Sequence, residues 1–256
     1  MMLTYEVVAP RATLMLDDPT RMNPMSVEVM QAVLDRLREA IADRAVKVIV
    51  ITGAGDRAFS AGGDLSGGFV DEPIALHHAR GVLAEIFRLM RRGGKPTVAR
   101  VNGHALAGGF GLAAACDIVI AVDRAKFGMP EINVGLWPMM ISAVLQRSMP
   151  RKAALELMMT GRLITAEEAF RLGVVSRVVA TGSLDDVVDE TVTELASKSP
   201  AILELGRDAF YAAEDMGFDA ALDHLQGALT LVSMTEDATE GVAAFMEKRS
   251  PKWHGR

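Results

Sequence analysis

Apolar and polar residues follow different periods in different parts of the chain, and these periods predict its strands and helices. Residues 26–42 carry apolar side chains at every third or fourth position behind Ser26, a suitable N-cap, and predict an amphipathic helix. Residues 46–52 form a continuous apolar run, which is typical of a strand buried on both faces. Residues 5–16 mix apolar, polar and β-branched positions and predict a strand pair that turns near Pro10.

Strands and helices alternate up to about residue 180, and only helices are predicted after that point. In the first part we predict helices at residues 77–92, 141–147, 151–160 and 166–172, and strands at 97–102, 118–122 and 174–179. The glycine-rich residues 53–68 leave no room for regular structure beyond a turn or two. The last helices are predicted at 184–197, 201–216, 218–233 and 235–248. We therefore expect an α/β core at residues 1–199 and a helical region at 200–256.

Composition narrows the class of protein. The 256 residues suffice for a large core, and 50% hydrophobic with 23% charged residues is the usual balance of a globular protein. The apolar runs are shorter than the roughly 20 residues that span a bilayer, and no signal peptide is visible. The single cysteine fits a reducing compartment, so we expect a cytoplasmic protein. A net charge of −6 argues against nucleic acid or anionic membranes as partners.

Two glycine-rich stretches have the composition of loops that bind an oxygen through backbone N–H groups. They are residues 59–65 (FSAGGDL) and residues 102–112 (NGHALAGGFGL), and each follows an apolar strand. Glycine has no Cβ, so a ligand can approach its N–H closely, and the first N–H groups of a helix are unsatisfied. Two such donors that converge on one carbonyl oxygen would stabilise an enolate or a tetrahedral oxyanion. For either stretch alone, tight packing of helix on sheet explains the glycines equally well.

A third stretch, residues 127–135 (FGMPEINVG), supplies a carboxylate. Pro130 and apolar residues flank Glu131, and burial there would raise the pKa of its carboxyl group toward the range of a useful acid or base. A glutamate after a proline is also common as a helix cap or in a surface turn, so this stretch alone does not decide its role.

In their order along the chain, these stretches resemble the crotonase (enoyl-CoA hydratase/isomerase) superfamily. The resemblance is carried by AFSAGGDL, VNGHALAGGFGLAAACDIVIA and FGMPEINVGL, and it continues through PRKAALELMMTGRLITAEEAFRLGVVSRVV to EGVAAFMEKRSPKW. It covers nearly the whole chain. It implies an α/β fold, a spiral of ββα units with a helical C-terminal oligomerisation region, and an enzyme acting on an acyl-CoA thioester.

The resemblance also implies roles for individual residues. The oxyanion hole would consist of the N–H groups of Gly63 and Gly108, and Glu131 would be the acid/base. Residues expected to bind the CoA part are Arg21, Met22, Met25, Ala61, Gly62, Asp64 and Leu65, with Phe245 and Lys248 reaching it from a neighbouring subunit. We accordingly expect a homotrimer or a dimer of trimers, with no metal and no cofactor other than the coenzyme A of the substrate.

One departure from the family pattern changes the expected reaction. Hydratases that this chain resembles carry a first glutamate where this sequence has Gly111, and the loop 136–141 offers no carboxylate in its place. Phe110 and Trp137, with Met139 and Met140, would form an apolar acyl pocket. We therefore expect enolate chemistry with Glu131 as the single acid/base, and double-bond isomerisation rather than hydration. Asp71 or Glu72 could replace the missing glutamate, and a crotonase-fold protein that binds acyl-CoA without turnover is the alternative.

Two other classes of site have weaker support. Residues 53–58 (GAGDRA) fit a dinucleotide fingerprint, but the glycines that follow at 62 and 63 break the helix that such a site needs. A hydrolase built on Ser60, His104 and Cys116 is disfavoured because a cysteine at the start of an apolar strand is usually an inert core residue.

Overall fold

The computed structural model describes residues 2–64 and 73–256, which form two sheets and ten α-helices. The first sheet contains β1 (Leu3–Val8), β2 (Arg11–Leu16), β3 (Val48–Gly53), β5 (Thr97–Val101), β7 (Ile118–Val122) and β10 (Arg177–Val179) in that spatial order. β1 and β2 form an antiparallel hairpin, and all later pairs are parallel. Every residue of β3 is buried, which confirms a strand covered on both faces.

The second sheet is built from four strands of three residues each. They are β4 (Ala58–Ser60), β6 (His104–Leu106), β8 (Lys126–Gly128) and β9 (Leu163–Thr165), again in spatial order. β4, β6 and β8 run parallel, and β9 pairs antiparallel to β8. The sequence analysis did not predict any of these strands, and β4 lies inside the stretch 53–68 for which no regular structure was expected.

A repeated unit of two strands and a helix connects the two sheets. The first helix, α1 (Val27–Ala42), precedes these units and begins after the N-cap Ser26, as predicted. In each unit the first strand joins the large sheet, the second joins the small sheet, and a helix follows. The three units are β3–β4–α2 (Pro73–Arg92), β5–β6–α3 (Gly108–Ala114) and β7–β8–α4 (Met139–Ser148). This arrangement confirms the α/β spiral of ββα units.

Six further helices complete the described part of the chain. They are α5 (Arg151–Thr160), α6 (Ala166–Arg171), α7 (Leu184–Ala196), α8 (Pro200–Ala213), α9 (Phe218–Ser233) and α10 (Glu236–Met246). Their bounds lie close to those predicted, whereas β10 is shorter than the strand expected at 174–179 and α2 begins earlier than residue 77. The division into a core and a C-terminal region at residue 199 stays a prediction.

Half-buried polar groups attach α8 to the core. The Asp117 carboxylate, at the start of β7, accepts hydrogen bonds from the Arg207 guanidinium at 2.9 Å and from the Tyr211 hydroxyl at 2.7 Å. Its other oxygen accepts from the backbone N–H and the hydroxyl of Thr97. Among the described helices, none is long and apolar enough to cross a membrane.

Candidate active site

The three functional stretches meet because their strands are neighbours in the small sheet. β4 ends at Ser60, β6 ends at Leu106 and β8 ends at Gly128, and these three strands are parallel. Parallel neighbours bring their carboxyl ends to one edge of a sheet. Loops 61–64, 107–108 and 129–131 therefore start side by side and carry Gly63, Gly108 and Glu131 to the same edge.

The first loop leaves one backbone N–H group available. Three of its four consecutive N–H groups donate within the protein: Ala61 N to Met22 O at 2.8 Å, Gly62 N to Ser60 Oγ at 3.1 Å, and Asp64 N to Met25 O at 3.2 Å. Met25 N also donates to Gly62 O at 2.8 Å, so the backbone at Met25 and the backbone of residues 62–64 hold each other in place. Gly63 N alone has no acceptor within the described residues, and Gly63 is exposed.

The second loop turns sharply from β6 into α3. Ala107 N donates to Gly128 O at 2.9 Å, which ties this loop to the end of β8. Ala107 has φ 51° and ψ −128°, a conformation that residues with a Cβ rarely adopt. Such backbone strain, of order 1–3 kcal/mol, is usually held in place at functional sites. The turn places Gly108 N in the first turn of α3, where backbone N–H groups have no partner inside the helix.

The two loops approach so closely that side chains are excluded between them. A β-carbon on Gly62 would lie 3.1 Å from Gly108 N and 2.5 Å from Ala107 Cβ. A β-carbon on Gly108 would lie 3.8 Å from Gly63 N. The two N–H groups therefore flank one small volume, and an oxygen there would meet fixed donors from both loops.

Buried side chains that the sequence analysis did not single out hold these loops. Asn23, 1% exposed, donates from Nδ2 to Ala54 O at 3.0 Å and to Ala58 O at 2.8 Å. Asn102, 3% exposed, donates to Gly55 O at 2.8 Å and accepts from Gly53 N at 3.2 Å. Both amides thus fix the segment that leads into β4. Asn23 has a positive φ in the structure, a conformation that asparagine tolerates better than most residues, but the sequence alone does not signal this role.

Glu131 presents a carboxylate in a partly dry environment. It lies in the 3₁₀ helix Pro130–Val134, three residues after the Gly128 carbonyl that binds Ala107 N. Its Oε2 atom is buried and has no hydrogen-bond partner in the described part of the protein. Burial raises the pKa of the Glu131 carboxyl group above its ordinary value, and a hydrogen bond with its own backbone opposes this only in part. A raised pKa makes the Glu131 carboxylate a stronger base, which suits a group that takes up and returns a proton.

Gly111 lies on the same face of α3 as Gly108, one turn further along. A β-carbon at position 111 would lie 2.2 Å from Ile141 Cγ2 and 3.3 Å from Phe87 Cζ. The side chain of Ile141, from α4, therefore fills the space into which a residue at this point of α3 would project. A carboxylate at position 111 has no room without movement of α4.

Comparison with known proteins identifies the family. The family model described as enoyl-CoA hydratase/isomerase matches residues 10–256. The chain belongs to the enoyl-CoA hydratase/isomerase family, within the crotonase superfamily. Enzymes of this family act on acyl-CoA substrates, and the chain is accordingly an acyl-CoA enzyme of this family.

Individual relatives agree with this assignment. The chain is 37% identical over 248 residues to the "Putative enoyl-CoA hydratase" of Thermus thermophilus, covering 94% of this chain and 96% of that protein. It is 36% identical over 222 residues to the carnitinyl-CoA dehydratase of Proteus mirabilis, covering 84% of each chain. An enoyl-CoA hydratase structure from Mycobacterium smegmatis superimposes with a TM-score of 0.95 at 31% identity, over 99% of both chains.

Several predicted CoA-binding residues of this hydratase/isomerase family member lie beside the first loop. Arg21 forms ion pairs with Asp18 at 2.7 Å and with Asp64 at 3.1 Å, so the Asp64 carboxylate is occupied by a partner. Met22 and Met25 belong to the segment whose backbone is bonded to residues 61–64. Leu65, like Asp71 and Glu72, lies outside the described residues.

The remaining predicted residues of the family member are more dispersed. Trp137, 36% exposed, lies in the loop between Glu131 and α4. Phe110 is fully buried and packs against Phe127 with ring centroids 5.4 Å apart, so the structure offers no open surface of Phe110 to an acyl chain. Phe245, 81% exposed, and Lys248 lie at the end of α10, in the C-terminal helical region and not at the edge of the small sheet.

The groups considered for a hydrolase are engaged elsewhere in this enzyme. His104 Nδ1 accepts from Lys126 N at 3.1 Å, and burial lowers the pKa of its imidazole, so it links β6 to β8 as a neutral ring. Cys116 is buried, and this burial raises the pKa of its thiol well above the ordinary value. Ser60 is bonded to backbone groups on both sides. Within residues 2–64 and 73–256, no three His, Cys, Asp or Glu side chains form a metal-ligating group.

Proposed function

We propose that this chain catalyses proton transfer at the α-carbon of an acyl-CoA thioester. The thioester oxygen would accept hydrogen bonds from Gly63 N and Gly108 N, and Glu131 would remove the α-proton. The observation that carries this proposal is the common edge of the small sheet, at which the two N–H groups and the partly buried carboxylate all follow parallel strands. Fixed dipoles aimed at the developing enolate lower the barrier to its formation.

Within this chemistry we favour a shift of a double bond over addition of water. Glu131 would take a proton from C2 of a 3-enoyl-CoA and return it to C4 of the resulting dienolate, giving a 2-enoyl-CoA with no other reactant. Of the two carboxylates in residues 61–64 and 129–135, Asp64 is held by Arg21, which leaves Glu131. Hydration would need a second group to orient water, and Ile141 occupies the adjacent position above Gly111.

The chemistry of individual residues indicates which of them would contact the rest of the substrate beyond the thioester. Residues 21–25 and 61–65 would line the pantetheine channel, because the backbones of Met22 and Met25 are bonded to residues 61–64 beside Gly63. Trp137 and Met139, both exposed next to the Glu131 segment, would contact a hydrophobic acyl chain. Phe245 and Lys248 would contact CoA in a neighbouring subunit of a homotrimer or a dimer of trimers.

Steady-state assays with 2-enoyl-CoA and 3-enoyl-CoA test the reaction. We expect conversion of 3-enoyl-CoA to its 2-isomer and little hydration of the 2-enoyl substrate. Robust hydration would contradict the proposed isomerisation and would favour the reaction for which the Thermus thermophilus relative is named. We expect Glu131→Gln to lose activity by about 10²–10⁴-fold with little change in affinity for a saturated acyl-CoA. Equal binding and no turnover in the unmodified protein would instead indicate an acyl-CoA-binding protein.

A further inference from the structure

Ser60 is a fully buried hydroxyl at the point where β4 ends and the first oxyanion loop begins. Its Oγ atom donates to Asn23 O at 2.8 Å and accepts from Gly62 N at 3.1 Å. Gly62 immediately precedes Gly63, and the peptide between them carries the N–H that the proposed reaction uses. Ser60 therefore restrains the orientation of this peptide through its neighbour.

The same residue also contacts the helix that carries the second oxyanion donor. A β-carbon on Gly109 would lie 2.6 Å from Ser60 O and 2.7 Å from Ser60 Cβ. These distances leave no free space between α3 and the end of β4, so α3 rests directly on Ser60. Gly108 is adjacent to Gly109, and a displacement of α3 at this contact moves Gly108 N with it.

One side chain thus touches both halves of the proposed oxyanion hole. Donors of this kind act fully only when they are held within a few tenths of an ångström of the oxygen that develops charge. We propose that Ser60 is a positioning residue that sets the separation and direction of the Gly63 and Gly108 N–H groups. This inference rests on the proposed enolate chemistry and adds a residue that does not itself contact the substrate.

Two substitutions separate the hydrogen bonds of Ser60 from its packing. Ser60→Ala keeps the β-carbon that supports Gly109 but leaves Gly62 N and Asn23 O without the hydroxyl, so the Gly62–Gly63 peptide can reorient. Gly109→Ala keeps both hydrogen bonds but forces α3 away from Ser60. We expect each to lower kcat by about 10- to 100-fold. A misplaced donor weakens the hydrogen bond to the oxygen mainly in the transition state, where that oxygen carries the most charge.

Ser199 provides a matched control. It is 4% exposed, donates from Oγ to the Asp237 carboxylate and accepts from Ile202 N at 3.1 Å, so Ser199→Ala also removes one donated and one accepted hydrogen bond of a buried serine, far from the small sheet. Because a hydrogen bond to a carboxylate is stronger than one to a backbone carbonyl, we expect Ser199→Ala to lower the free energy of unfolding at least as much as Ser60→Ala while kcat is unchanged. The comparison removes general destabilisation as an explanation of the Ser60 effect.

The infrared frequency of the carbonyl stretch of bound hexanoyl-CoA, labelled with ¹³C at the thioester carbon, reports on the two hydrogen bonds directly. A purely structural role of Ser60 would leave this frequency unchanged. Infrared difference spectra are expected to show a shift to lower frequency in the unmodified protein, a smaller shift in Ser60→Ala and Gly109→Ala, and the full shift in Ser199→Ala. A full shift and unchanged kcat in both Ser60→Ala and Gly109→Ala would overturn the positioning role. If Ser60→Ala does not fold, Gly109→Ala decides alone.

Failure of the underlying reaction gives a different result. An unmodified protein that binds hexanoyl-CoA without any carbonyl shift, and without exchange of the α-protons for deuterium from solvent, would refute the enolate mechanism and the role of Ser60 together. A shift with α-proton exchange in the unmodified protein, undiminished in the variants, would refute the role of Ser60 alone.

Discussion

At the scale of single residues, Glu131 is partly buried and one of its carboxylate oxygens has no partner among the residues that the structure describes, and this has a consequence for stability. Burial raises the pKa of its carboxyl group in the folded protein above the value in the unfolded chain. Between these two pKa values the folded state binds more protons, so the stability of the fold decreases as the pH rises through this interval. The ionised carboxylate is therefore a local cost to stability at a pH above both pKa values, which is consistent with a role in function.

Glu131→Gln should therefore stabilise the protein at neutral pH while it abolishes proton transfer. We expect a higher midpoint of urea unfolding than in the unmodified protein at pH 8, and no gain at a pH below the ordinary glutamate pKa, where both side chains are neutral. We also expect kcat/KM of the unmodified protein to fall on acidification at a pH above the ordinary glutamate range, because the base must be ionised. An equal stabilisation at both pH values would contradict the assigned ionisation.

The residues that would contact the substrate could be predicted from the sequence, but the residues that fix the position of their loops could not. The glycine-rich stretches and the flanked carboxylate were visible in the sequence, and the family resemblance implied the roles of Gly63, Gly108 and Glu131 within them; the structure brings all three to one edge. Asn23 and Asn102 were not singled out as scaffold residues, since asparagines in turns usually face solvent. Their role depends on which carbonyls the fold places beside them, such as the Ala58 carbonyl that both amides bind.

At the scale of elements, the large sheet was predicted and the small sheet was not. β3 was recognised because six successive buried positions leave a clear apolar run. β4, β6, β8 and β9 have three residues each, which is too short for any period to show against the glycines around them. The sheet that carries the site is thus the one with the weakest local signal, and its strands pair across residues that are far apart in the sequence.

The contact between α3 and α4 at Gly111 leads to a prediction about packing. Gly111→Ala should lower the free energy of unfolding by about 1–3 kcal/mol, because its methyl group overlaps Ile141 Cγ2. Ile141→Ala should cost about 2–4 kcal/mol by opening a cavity. The double variant should cost less than the sum by about 1 kcal/mol or more, since one change makes room for the other. Urea denaturation of the four proteins measures this coupling.

Gly81 is the matched control for that cycle. It lies in α2, and a β-carbon there would meet no atom within 4 Å. Gly81→Ala should raise the free energy of unfolding by about 0.5–1 kcal/mol, as alanine favours the helix. Additive effects of Gly111→Ala and Ile141→Ala would show that the two helices do not constrain each other. In that case Ile141 would not exclude a second carboxylate at position 111.

At the scale of the whole molecule, the C-terminal helices expose an apolar surface that is unusual for a chain on its own. Several large side chains of α9, α10 and the turn between them are mostly exposed: Phe218, Leu229, Leu231, Met234, Val242, Phe245 and Met246. Isolated exposed apolar residues are ordinary, but this many large ones concentrated on two consecutive helices indicate a region of association. This pattern supports the proposed homo-oligomer. The periodicity of the sequence sufficed to predict these helices, but it could not show whether their apolar faces pack in the core of one chain or against another subunit.

An aspartate in this surface should therefore dissociate the assembly. We expect Leu229→Asp to reduce the mass measured by light scattering to that of a smaller species, because a charge buried in an apolar interface is strongly unfavourable. Val8→Asp, at a position 57% exposed on the β1–β2 hairpin, is the control and should leave the mass unchanged. If Phe245 and Lys248 contact CoA in a neighbouring subunit, the dissociated variant should also show a raised KM for acyl-CoA. A Leu229→Asp variant with the mass and KM of the unmodified protein would show that these helices take part in neither assembly nor substrate binding.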